Sequence, residues 1–113
     1  MSRTGQDAGA EASFPPNLPG ADLVAAGIAA LRRRDFNVEA LLVAVGAPRL
    51  RRAGLDLPAA AGEPEAPELA LYAALRGGGG DAHSRYNALI RRLVSFERAL
   101  ETAQRRQSGR HAS

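Results

Sequence analysis

The chain has 113 residues, 45% of them apolar, a net charge of +3 and no cysteine. That is room for one small packed domain, and it excludes a disulfide framework, a zinc–thiolate site and a cysteine nucleophile. Every basic residue is arginine, fifteen in all, so a Walker-type phosphate loop, which needs a lysine, is excluded as well.

The first residues lack the apolar stretch of a secretory signal, and no run approaches the ~18–20 apolar residues that span a bilayer. The expectation is a cytoplasmic protein with no membrane partner. Charge is unevenly distributed. Six arginines face Asp35 and Glu39 between residues 32 and 52, and six more face Glu97 and Glu101 between residues 85 and 106. An acidic stretch without arginine, residues 56–68, separates them.

Residues 1–17 read as a disordered or extended tail. Its end, "FPPNLPG", is held extended by prolines, with Phe14 and Leu18 as candidate anchors onto the domain. The helical domain is expected over residues 18–104. A first helix at residues 21–34 gathers Leu23, Val24, Gly27, Ile28 and Leu31 in one arc of about 140°. Gly27, at its centre, is suited to close approach by a neighbouring helix.

Asn37 is the expected N-cap of a second helix, residues 38–45, apolar all round apart from Glu39 and therefore central to the core. Gly46 and Pro48 predict a break there, followed by a brief third helix from Pro48 to Ala53. That pattern raises a helix-turn-helix, but two turns expose too little surface to read bases, so a plain corner is the expectation. Residues 58–67 read as an acidic loop, with a helix at residues 67–76 presenting Leu69, Leu71, Tyr72 and Leu75 on one side.

Four glycines at residues 77–80 break the chain, and Asp81 or Ser84 can cap the last helix, which is expected to reach about Arg106. Tyr86, Leu89, Ile90, Leu93, Val94, Phe96 and Leu100 share an arc of about 160° on it. Residues 105–113 read as a second disordered tail. No strand pattern is present, so the fold class is all-α: a small single-domain bundle of four to five helices with a long C-terminal helix.

Chemistry is scarce. His83 beside Asp81 is too few ligands for a metal site, and no histidine has partners at triad spacing. Arg106 and His111 resemble the Arg-polar-x3-His pattern of helical HEPN-type ribonucleases, where the pair stands on a stable helix in a dimer cleft. Gly109 between them places both in the expected tail, and no role is carried over. The expectation is a non-enzyme without cofactor or metal.

Glu97 falls inside the apolar arc of the last helix, where a carboxylate is costly unless paired. Either an arginine of the first basic segment covers it, or it faces a partner. The primary expectation is a protein-interaction or regulatory module, self-associating through a seam on the last helix. The alternative is an arginine-mediated nucleic-acid-binding protein. Candidate interaction residues are Arg49, Arg51, Arg52, Arg91, Arg92, Glu97 and Leu100.

Overall fold

The computed structural model describes residues 14–58 and 64–112, with side chains through residue 107. The first thirteen residues of the expected N-terminal tail and the centre of the acidic loop lie outside them. Among the described residues the fold has four helices and no strand: α1 (Ala21–Arg32), α2 (Val38–Arg52), α3 (Pro67–Gly77) and α4 (Ala82–Ala112). It is a small all-α domain, as composition and periodicity predict.

The central element is α2, which packs against each of the other three helices, while α3 also packs on α4. Its sequence explains why. Ala40, Leu41, Leu42, Val43, Ala44, Ala47 and Leu50 are all buried, covering its circumference, so neighbours must shield it on several sides. Asn37 begins it as expected, its Oδ1 accepting from the Ala40 amide at 2.9 Å.

The expected break at residues 46–48 does not occur. Helix α2 runs unbroken to Arg52 with Pro48 inside it, so there is neither a helix-turn-helix nor a corner. An interior proline forfeits one backbone hydrogen bond and costs ~3 kcal/mol. Burial of Ala47 before it and Leu50 after it offsets that cost, since fully burying one leucine contributes ~2 kcal/mol and close packing adds to it. The helix stops instead at Gly54, whose φ of +103° ends it. The Leu55 amide then donates to the Leu50 carbonyl and the Gly54 amide to that of Arg51, a Schellman closure.

The same closure ends α1: Asp35 N–H donates to the Ala30 carbonyl and Arg34 N–H to that of Leu31. Here the left-handed position holds Arg34, at φ +60°, where a side chain is disfavoured by roughly 1–2 kcal/mol. Gly27 performs the role expected of it. A methyl group there would collide with the Glu39 carbonyl oxygen and the Val43 side chain, so α1 and α2 meet backbone to side chain at this point.

The proline-rich entry is anchored onto the domain as expected, while Pro15, Pro16, Asn17 and Pro19 stay exposed. Phe14 is buried and packs edge-on against Phe96 of α4, ring centres 4.9 Å apart, and Leu18 rests half-buried beside it. Asp81 caps α4 through the Ser84 amide and hydroxyl. Two further expectations are corrected. Leu69 stands 73% exposed rather than joining Leu71 and Leu75 in the core, and α4 continues as helix to Ala112 through the expected second tail. No helix among the described residues is long and apolar enough to cross a membrane.

Two substitutions test this packing by urea denaturation. Gly27→Ala is expected to destabilise by about 1–3 kcal/mol, although alanine is the better helix former, because the collision partner is backbone. Arg34→Gly is expected to stabilise by about 1 kcal/mol. Opposite signs would contradict the close approach and the left-handed turn respectively.

Candidate functional site

Helix α4 contains only two carboxylates, Glu97 and Glu101, one turn apart and therefore on one face. Both turn toward α2. Arg49 receives them: its Nε and Nη2 donate to the two oxygens of Glu101 at 2.7 and 2.9 Å, and its Nη1 donates to Glu97 Oε1 at 3.1 Å. One planar guanidinium thus holds Glu101 side-on and Glu97 end-on, the geometry that makes arginine–carboxylate contacts strong.

Gly46 makes the approach possible. A methyl at that position would stand 2.8 Å from Glu97 Oε2 and 3.1 Å from the Leu93 methyls. The residue expected to end a helix instead opens the space into which Glu97 fits, three residues ahead of the arginine that pairs with it.

The environment splits the two carboxyls. Desolvation pushes Glu97 above the usual glutamate range, opposed by the Arg49 charge and reinforced by the neighbouring Glu101. Hydrogen bonds from Arg49 hold Glu101 below that range, and the charges of Arg49, Arg105 and Arg52 act in the same direction. Glu101 therefore marks where the two arginine segments of the sequence meet, α2 contributing Arg49 and Arg52 and α4 contributing Arg105.

With both carboxylates turned inward, the solvent side of α4 is left to arginine. Arg85, Arg91, Arg92, Arg98, Arg105 and Arg106 are all exposed; α4 itself adds no carboxylate to this side, and Asp22 of α1 reaches Arg92 across it at 3.5 Å. Arg91, Arg98 and Arg105 recur every seven residues, a row about 21 Å long with roughly 10 Å between members. Arg85 and Arg92 form a second row roughly 120° around the helix. The strip between them holds Ala88, Ser95, Ala99 and Thr102, small side chains that leave the guanidinium groups to project furthest, and it ends at Arg106.

The site residues named from sequence separate into two groups. Arg51, Arg52, Arg91 and Arg92 are exposed; Arg51 leans toward the Pro58 carbonyl at 3.5 Å and Arg92 toward Asp22 at 3.5 Å. Glu97 and Leu100 are 5% and 1% exposed, and Arg49 is engaged by both glutamates. These three hold the fold together, and the partner-facing alternative for Glu97 is set aside by its burial.

Leu100 is turned into the core, so among the described residues it offers no apolar surface to a seam. Leu69, on α3, is the large apolar side chain left exposed among the described residues. The sequence places Arg91 and Arg98 on one flank of this helix and Arg92 on the other; Arg105, a further seven residues on, was missed as the third member of the row. Arg106 is exposed on α4, and the side chain of His111 lies outside those described. No family model, curated protein or solved structure matches this chain.

A carboxyl raised by folding makes the folded state lose stability as pH climbs from its unfolded value to its raised one. A depressed carboxyl contributes stability that is lost as pH falls through its folded value. Glu97 falls in the first class and Glu101 in the second. Glu97→Gln is therefore expected to flatten the decline of thermal midpoint just above the ordinary glutamate range, leaving the more acidic limb in place. Arg49→Met is expected to lower the midpoint far more than Arg98→Met, because only the former leaves a buried carboxylate unpaired. An unchanged slope, or equal effects of the two arginine variants, would remove the interior ion pair as the source.

Proposed function

We propose that this protein is a non-catalytic nucleic-acid-binding protein that grips the phosphate backbone with the exposed arginine face of α4. The observation that carries this reading is charge segregation: six exposed arginines lie along one helix whose only two carboxylates, Glu97 buried and Glu101 half-buried, are both engaged by Arg49.

Arginine presents a planar fork that pairs with phosphate oxygens in two places at once. Rows on both flanks of one helix match a polyanion with many equivalent charges rather than a single anionic group. The small residues between the rows offer few base-reading groups, so affinity is expected to come from phosphates, with little duplex sequence preference. Arg52, exposed at the end of α2, extends the positive charge to the first arginine segment.

The competing class, a protein-interaction module, draws on the same charges if the partner is acidic. Among the described residues Leu69 is the one large apolar side chain that is exposed, a small contribution to the apolar centre of a protein interface.

Fluorescence anisotropy with a labelled single strand of about 20 nucleotides tests the proposal. Log affinity is expected to fall linearly with log salt, with a slope of about −4 if all six arginines engage. The triple variant Arg91→Ala, Arg98→Ala, Arg105→Ala is expected to reduce that slope by about 2. Arg76→Ala on α3 is expected to leave it unchanged. Absence of binding at low salt, or a triple variant indistinguishable from the parent, would reject the proposal.

A further inference from the structure

An open groove of about 550 Å³ lies beside the second arginine row, between the start of α2, the end of α3 and the first half of α4. Val38, Leu75 and Leu89 give it apolar walls, and Arg85 and Arg92 stand along it with Glu39 as its one carboxylate. Each arginine has donors to spare. Arg85 Nη1 donates to the Gly79 carbonyl at 2.8 Å, and Arg92 Nη2 reaches Asp22 at 3.5 Å, out of five N–H groups on each guanidinium. Among the described residues no ion pair joins Glu39 to either arginine.

These three charges restrict what fits. A compact anion would meet the arginines but also the repulsion of Glu39. A cation would meet Glu39 but be repelled by two guanidinium groups. A purely apolar ligand would leave all three unanswered. A flat neutral body with N–H donors on its edge, carrying its negative charge outside the groove, answers all three and also suits the apolar walls.

A nucleotide has that form. Its base can lie against the leucine and valine walls and direct amino hydrogens at the Glu39 carboxylate, while its phosphates stay on Arg85 and Arg92. A guanidinium plane can also stack on the base. The base must be out of its helix, because in a duplex its donor edge is already paired and its faces already stacked.

We infer that this groove takes an unstacked nucleobase with an amino edge from a single strand whose phosphates lie on the α4 arginines. The inference rests on the proposed nucleic-acid reading and adds to it a substrate form and a base preference. Cytosine presents an exocyclic amino group that a carboxylate accepts from. Thymine presents carbonyl oxygens on both sides of its one N–H, and these repel it.

The experiment compares oligo(dC) and oligo(dT) of equal length at one salt concentration by anisotropy, with the full chain. The parent is expected to favour oligo(dC) by about tenfold. Glu39→Gln, which removes the charge, and Ala88→Phe, which fills the groove from an exposed position, are each expected to shrink that preference to about twofold or less. Neither is expected to alter the salt slope, and circular dichroism confirms that both keep the helical fold. The triple arginine variant is expected to weaken both strands equally. Equal affinity of the parent for the two strands, or a preference that survives both groove variants, overturns the groove inference while leaving phosphate binding intact. No binding to either strand overturns both.

Discussion

One guanidinium sets the character of this molecule. Arg49 holds both acidic residues of α4 at distances of 2.7 to 3.1 Å, and in doing so it determines which side of α4 faces inward. The pair of glutamates one turn apart must meet a single planar fork. Rotating α4 by one residue would swing them about 100° away from it, and sliding it by one turn would offer the fork one glutamate in place of two. Apolar packing alone is less exacting, since leucine and phenylalanine tolerate repacking as long as volume is conserved. The cost of bringing Glu97 out of water is met by its partner, by the cavity over Gly46, and by partial exposure of Glu101 and Arg49, which keeps the rest of the cluster solvated.

Much of this architecture could be read from residue order. Helical periodicity placed the core faces of α1 and α4. Asn37 announced its cap, Gly27 its close contact, and Phe14 and Leu18 their anchoring role. The position of Glu97 within an apolar arc required a covering arginine, and Arg49 belongs to the segment expected to supply it. These features were legible because each depends on neighbours within one or two turns, or on a cost that admits few remedies.

What escaped the sequence depends on distant parts of the chain. Gly46 and Pro48 are strong local stop signals, and they lose because burial of Ala47 and Leu50 against other helices favours continuation. Leu69 has the right spacing for the core of α3, yet only two sides of that helix are covered, by α2 and α4, and Leu69 lies on neither. Leu100 suits a seam on sequence grounds because the long last helix carries an apolar stripe flanked by arginines. In the fold α2, α3 and the Phe14 segment share it, Tyr72 of α3 packing edge-on against Tyr86. The arginine face was hidden for the same reason: six arginines and two glutamates look nearly balanced along a sequence, and only the inward turn of both glutamates separates the signs.

Such a face must also be tolerable when nothing is bound to it. Within a row, neighbouring arginines are roughly 10 Å apart, about the Debye length at physiological salt. Their mutual repulsion in water is then largely screened, and the helix is anchored by its buried side, so segregation costs the free protein little. A nucleic-acid strand changes the balance. Its phosphates carry closely spaced opposite charges and release condensed counterions when arginines displace them. The same spacing that keeps the unbound face stable thus leaves each guanidinium able to engage a different phosphate. A face built from alternating signs would gain local ion pairs worth less than about 1 kcal/mol each and forfeit that response.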